Sequence, residues 1–265
     1  MPGVALVTGA GRGFGHAIAK RLAGRGYTVL ATDVEAEAAA RTAAEIGGIP
    51  MALDVRDPAA HREAARAAAE HGPLEVWVNN AGVMRPGKCW EHPDDAVRLE
   101  CEVNLLGVIW GSRAAVDAMR EARVPNGHIV NMASLSALGP VPGLGVYSAT
   151  KHGVLGFSGS LQGDLLDAGI PITVHSVCPD GADTQLLREH DDVPEAAINW
   201  SGPRLLSADE VGEAVVALLD TKRLVHVMPR WRGWGARVNA MLGRTGLRSA
   251  PLLRRAGARR RAQAG

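Results

Sequence analysis

Val4-Ala5-Leu6-Val7-Thr8-Gly9-Ala10-Gly11-Arg12-Gly13-Phe14-Gly15 decides the architecture. A short apolar run ends in a glycine-rich turn, and the stretch 14–25 that follows has helical periodicity. Strand, tight turn and helix in that order open a βαβ unit. The glycines permit a sharp turn and let backbone N–H groups approach a pyrophosphate at the helix N-terminus. Gly9, Arg12, Gly13, Phe14 and Gly15 are therefore candidate dinucleotide-binding residues. A glycine-rich turn alone is weak evidence, because flexible loops share it. Its context adds weight: Asp33 follows Gly15 by 18 residues at the end of the next strand-like run. A carboxylate there accepts hydrogen bonds from a ribose 2′-OH and repels a 2′-phosphate, which favours NAD over NADP. The Arg12 cation pulls the other way and keeps NADP open.

Working outward, Thr28–Thr32, Glu75–Asn79, His128–Ala133 and Ile172–Cys178 repeat the short, apolar, β-branched pattern of Val4–Thr8. Helix-like segments 35–46, 58–71, 94–122 and 148–168 alternate with them. Strands this apolar are buried on both faces, so the alternation predicts a doubly wound parallel α/β domain. A short helix (208–220) and a last apolar run (Leu224–Met228) close it, and 185–205 reads as an irregular excursion. The expected organisation is one catalytic domain over 1–228 and a basic extension over 229–265.

The chain has 265 residues, with 29 Lys or Arg against 28 Asp or Glu. Twelve of the bases and none of the acids lie in 221–265, leaving 17 bases against 28 acids in the first 220 residues. The overall balance argues against a nucleic-acid binder and against an acidic disordered chain. No apolar run is long enough to span a membrane, and a strand starting at Val4 leaves no room for a signal peptide. Three cysteines, Cys89, Cys101 and Cys178, lack C-x-x-C spacing. Reduced thiols in a cytoplasm are expected, with neither a disulfide framework nor a structural metal site.

The second chemical signal is Tyr147-Ser148-Ala149-Thr150-Lys151. Tyr and Lys at i and i+4 share a helix face. A free phenol titrates near ~10, so proton transfer near neutrality calls for a shift of roughly 3 units. An ammonium about 4 Å away supplies that much if it outweighs burial.

Together with these two signals, Asp54 in Leu-Asp-Val, Asn79-Asn80-Ala81-Gly82, Asn104 and Ser134 stand in order along the chain. From Val4 to about Met228 the sequence resembles the short-chain dehydrogenase/reductase family in its single-domain oxidoreductase form. The resemblance implies a Rossmann-like fold and a catalytic set of Asn104, Ser134, Tyr147 and Lys151. Tyr147 would exchange the proton, Ser134 would hydrogen-bond the same substrate oxygen, and Lys151 would lower the Tyr pKa and hold the nicotinamide ribose. Asn104 would keep a relay water in place. Asp54 and Val55 would contact adenine, while Asn80, Ala81 and Gly82 would pass beside the ribose. Pro179, Gly181, Ala182 and Thr184 would line the nicotinamide side. One block departs from the family pattern: Asp180 stands where a glycine is usual. It would face solvent or favour a cationic ring, and no catalytic role is assigned to it.

Gly82-Val83-Met84-Arg85-Pro86-Gly87-Lys88 has the spacing of a phosphate loop, but Cys89 follows instead of Ser or Thr, so it is read as chance. Gly153, Gly156 and Gly159 weaken the helix that carries Lys151, and close packing against another helix would compensate. The family likeness implies a homodimer or homotetramer built there. Leu186, Leu187, Val193, Ile198 and Trp200 make the loop 185–205 apolar. A lipophilic or aromatic alcohol or ketone is the expected substrate, with an NADPH-dependent reductase of 3-oxoacyl or other carbonyl compounds as the alternative. In the tail, Trp231, Trp234, Val238, Met241 and Leu242 share a helical face. That face suits an anchor on anionic lipid, making the chain a cofactor-binding regulatory or membrane-associated protein; the preferred reading is a helix packed on the subunit with a solvated basic end.

Overall fold

The computed structural model describes residues 3–264 except Asp191. Seven parallel strands form one sheet in the order β3-β2-β1-β4-β5-β6-β7. They are β1 (Val4–Thr8), β2 (Thr28–Asp33), β3 (Ile49–Ala52), β4 (Leu74–Asn79), β5 (Gly127–Met132), β6 (Ile172–Pro179) and β7 (Val225–Met228). The expected strands are all present. β3 was not anticipated: it is four residues long with Pro50 inside it, a composition that reads as a break. Pro50 is tolerated because β3 pairs only with β2, at the sheet edge, where a missing N–H costs no ladder bond.

Residues alternate across the sheet and build a core on each face. Ala5 and Val7 pack with Ile18 and Leu22 of α1 (Gly13–Gly24), Ala43 of α2 (Ala36–Ile46) and Val211 and Val215 of α8 (Ala208–Leu218). Val4 and Leu6 face the opposite layer, with Ala64 of α3 (Pro58–Ala69), Ala115 and Met119 of α5 (Gly107–Glu121) and Leu165 of α6 (Gly145–Asp167). This is the doubly wound, Rossmann-like arrangement expected from the alternation, with the strand order reversing between β1 and β4. A crevice opens beyond the carboxyl ends of the strands at such a reversal.

Three segments depart from their expected form. The helix 94–122 is broken: α4 (Asp94–Cys101) passes through a π-helical turn, Glu102–Leu106, before α5 begins. The extra residue in that turn aims Asn104 inward, fully buried. The excursion 185–205 contains a short helix, α7 (Gln185–Arg188), and a 3₁₀ run, Pro194–Trp200. The tail is helical through α9 (Arg230–Met241), α10 (Arg244–Leu247) and α11 (Ala250–Ala264). Gly257 of α11 lies buried against the carbonyl of Ala197, where any side chain would collide, so the last helix docks closely on the 3₁₀ run.

Candidate active site

A cavity of about 690 Å³ occupies the crevice. Gly9, Arg12, Gly13, Phe14, Asp33, Asp54 and Val55 line it beside β1 and β2, and Ser134, Tyr147, Lys151 and Pro179 line it beside β5 and β6, with Thr184 next to Gly13. Gly13 has φ +54°, a left-handed backbone that strains other residues, and a Cβ there would touch Thr184. A Cβ on Gly15 would collide with the Gly9 carbonyl, so this glycine lets the loop close on the helix start. The loop is braced from β4: Asn80 Nδ2 donates to the carbonyls of Thr8 and Gly9, both at 2.9 Å. Ala81 N donates to Thr8 Oγ1 at 3.1 Å.

Asp33 accepts hydrogen bonds from Gly11 N at 2.9 Å and Glu35 N at 3.1 Å, which fixes its carboxylate on the crevice wall. Arg12 reaches the other way and pairs with Glu189 at 3.4 Å. Asp54 is clamped by Arg56, whose guanidinium holds the carboxyl below its usual range. A glycine turn lining the cavity, a carboxylate beside it and an apolar slot at Val55 fit a dinucleotide with an unphosphorylated ribose.

Ser134 stands after β5 and accepts from Ser136 N at 3.2 Å, which fixes the start of the turn Leu135–Ala137. Tyr147 and Lys151 stand one turn apart on α6, with the ammonium 5.6 Å from the phenol ring centre. Lys151 Nζ donates to the carbonyl of Met132 at 2.8 Å. Asn104 accepts from Val83 N at 2.8 Å and donates to Val83 O at 2.7 Å, locking the segment after β4 beneath Lys151. Of the four predicted catalytic residues, Ser134, Tyr147 and Lys151 line the crevice, while Asn104 lies fully buried behind the segment at Val83.

Their ionisation differs from the expectation. Burial pushes the Tyr147 phenol up to about 12, with the neighbouring Ser134 hydroxyl pulling the other way. Burial also lowers the Lys151 ammonium to about 8. Charge pairing does not outweigh burial in this crevice, because both charged forms lose water there.

Glu100 of α4 is fully buried behind the site. Oε1 accepts from Arg85 N at 2.8 Å, Oε2 has no hydrogen-bond partner among the described residues, and burial raises the carboxyl to about 7. A carboxyl raised in the folded state loses stability as pH climbs from its unfolded value near ~4.5 through about 7. Glu100→Gln is expected to match the wild type near pH 4.5 and exceed it above pH 7 by roughly 1–3 kcal/mol, read from denaturant melts across that range.

Asp180 does not face solvent. Its side chain is 8% exposed and pairs with Arg232 Nε of α9 at 2.7 Å, and Arg232 also donates to Ser201 Oγ at 2.8 Å. The tail thus joins the site: Trp231, Asn239, Leu247 and Leu253 line the cavity beside Leu186 and Leu187. Sequence reading missed these tail residues as cavity lining, although the departure at Asp180 marked the spot.

The short chain dehydrogenase pattern matches residues 3–194. The chain belongs to the short-chain dehydrogenase/reductase family of oxidoreductases. It is 34% identical to the 1-deoxy-11-beta-hydroxypentalenate dehydrogenase of Streptomyces avermitilis over 230 residues, covering 84% of this chain and 83% of that protein. It is 35% identical to the 3-oxoacyl-[acyl-carrier-protein] reductase FabG of Escherichia coli over 220 residues, covering 81% and 88%. A short-chain dehydrogenase/reductase from Burkholderia phymatum, crystallised in complex with NAD, superposes with a TM-score of 0.82 at 29% identity, covering 90% of this chain and 92% of that one. A further relative, the probable oxidoreductase EphD of Mycobacterium tuberculosis, is 37% identical over 187 residues, or 68% of this chain, but the match spans only 31% of EphD. Among the described residues no helix is long and apolar enough to cross a membrane.

Proposed function

We propose that this chain is an NAD-dependent alcohol dehydrogenase or ketone reductase for lipophilic or aromatic secondary alcohols and ketones. The observation that carries the reading is the meeting of Ser134, Tyr147 and Lys151 in a crevice that also holds Asp33 and the glycine turn. Residues 1–228 are the catalytic domain, and 229–265 complete its substrate wall. The open faces of Gly156 and Gly159 on α6 support a homodimer or homotetramer.

When bound, a nicotinamide dinucleotide supplies or accepts the hydride. The chain's residues manage the oxygen. As a carbonyl is reduced, negative charge grows on its oxygen, and the hydroxyls of Ser134 and Tyr147 are two donors aimed at it. The Tyr147 phenol gives its proton to that oxygen, and burial keeps it protonated until then. In the oxidative direction the Tyr147 phenol first loses its proton to solvent, and the phenolate, with the Lys151 ammonium beside its ring, then takes the proton of the alcohol. Asn104 holds the backbone at Val83 and keeps the Lys151 side of the crevice in shape. Leu135, Val141, Leu144 and Leu186 give the substrate an apolar bed.

The second reading is an NADPH-dependent reductase of 3-oxoacyl compounds, favoured by the likeness to FabG. Comparing the two coenzymes by titration separates them. NAD(H) is expected to bind at least about tenfold tighter than NADP(H), and Asp33→Ala to remove most of that preference. Tighter NADP(H) binding in the wild type selects the second reading. Absence of coenzyme-dependent turnover across an alcohol, ketone and 3-oxoacyl panel defeats both.

A further inference from the structure

Helix α9 has two unlike faces. Its inner face is fixed: Arg232 is held by Asp180 and Ser201, Gly233 is buried against Val227, and Ala236 lies over Gly139. Its outer face presents Trp231, Trp234, Val238, Met241 and Leu242 at i, i+3, i+7, i+10 and i+11, with exposures of 60%, 71%, 48%, 86% and 56%. The packed helix preferred from the sequence is therefore only half right, since the aromatic stripe faces outward. Leu247, Leu252 and Leu253 extend the apolar surface onto the next two helices. Arg230, Arg237, Arg244 and Arg248 are exposed along the same segment.

We infer that this face docks on an anionic lipid surface, with α9 lying in the membrane interface. Tryptophan and long aliphatic side chains beside arginines suit the headgroup boundary, where apolar burial and attraction to anionic lipid add. The charge distribution selects the orientation. The acid-free segment 221–265 carries twelve cations, while the first 220 residues carry 17 bases against 28 acids, so an anionic surface attracts the tail and repels the body. A nucleic acid would engage the arginines and leave Met241 and Leu242 in water. Trp231, Leu247 and Leu253 belong both to the exposed face and to the cavity wall, so a lipophilic molecule can pass from the interface into the crevice without crossing bulk water.

The inference does not depend on the hydride-transfer reading, and its test reads binding and activity separately. The full chain is sedimented with vesicles of equal parts phosphatidylcholine and phosphatidylglycerol, and with pure phosphatidylcholine. The comparison protein is the Trp234→Ser/Met241→Ser double variant, whose altered side chains touch neither cavity nor core. Wild type is expected to partition onto the mixed vesicles at least about tenfold more strongly than onto phosphatidylcholine, and the variant to lose about as much on the mixed vesicles. The variant should keep its melting temperature and its turnover of a water-soluble substrate. Equal partitioning of the two proteins, or wild type remaining in the supernatant of the mixed vesicles, overturns the inference. So does a change in the variant's sedimentation coefficient without lipid, which would assign the face to a second copy of the chain.

Discussion

Tyr147→Phe is expected to lower kcat about a thousandfold while coenzyme affinity changes by less than about twofold. The substitution removes one oxygen, the one placed to exchange a proton with the substrate, and leaves the ring packed on α6. On the proposed reading, coenzyme contacts come from the glycine turn, Asp33 and Lys151, which the substitution leaves in place. The raised phenol strengthens this expectation, because a group held near 12 keeps its proton across the neutral range and has it to donate. Ser134→Ala removes the second donor and should cost about a hundredfold in kcat. Steady-state kinetics with a coenzyme fluorescence titration separates the two parameters. A Tyr147→Phe protein within tenfold of wild type would remove the phenol from the chemistry.

Arg232→Ala should have the largest effect on stability, about 2–4 kcal/mol. The loss strands Asp180, 8% exposed, without its cation, and frees Ser201 in the excursion 185–205. At this chain length that corresponds to a fall in Tm of roughly 5–12 °C. Asp180→Gly/Arg232→Ala removes both charges and restores the family's usual glycine, so it should recover most of the loss. Differential scanning calorimetry of the two variants checks the pair. If the double variant is as unstable as the single one, the penalty lies in the packing of α9 and not in the stranded charge.

Those two predictions draw on different kinds of legibility. The residues around Tyr147 could be read from the chain because their geometry is local: i and i+4 on a helix, a glycine turn after a strand, a carboxylate at the next strand end. Asp180 was visible only as a departure from a pattern, and its partner lies 52 residues away. β3 was hidden by Pro50, which is acceptable only at a sheet edge, and a sequence does not announce its edges. The break between α4 and α5 was hidden because 94–122 keeps helical composition through the π turn that buries Asn104.

The alternation of strands and helices, the crevice at the strand ends and Ser134, Tyr147 and Lys151 beside it are legible along the chain. Periodicity and turn chemistry act between near neighbours, so they are written in order along the chain. Which ionised forms the site favours, what Asp180 faces and which side of α9 is left in water emerge from packing. Each of these depends on the water removed by segments distant in sequence, and desolvation belongs to the packed whole.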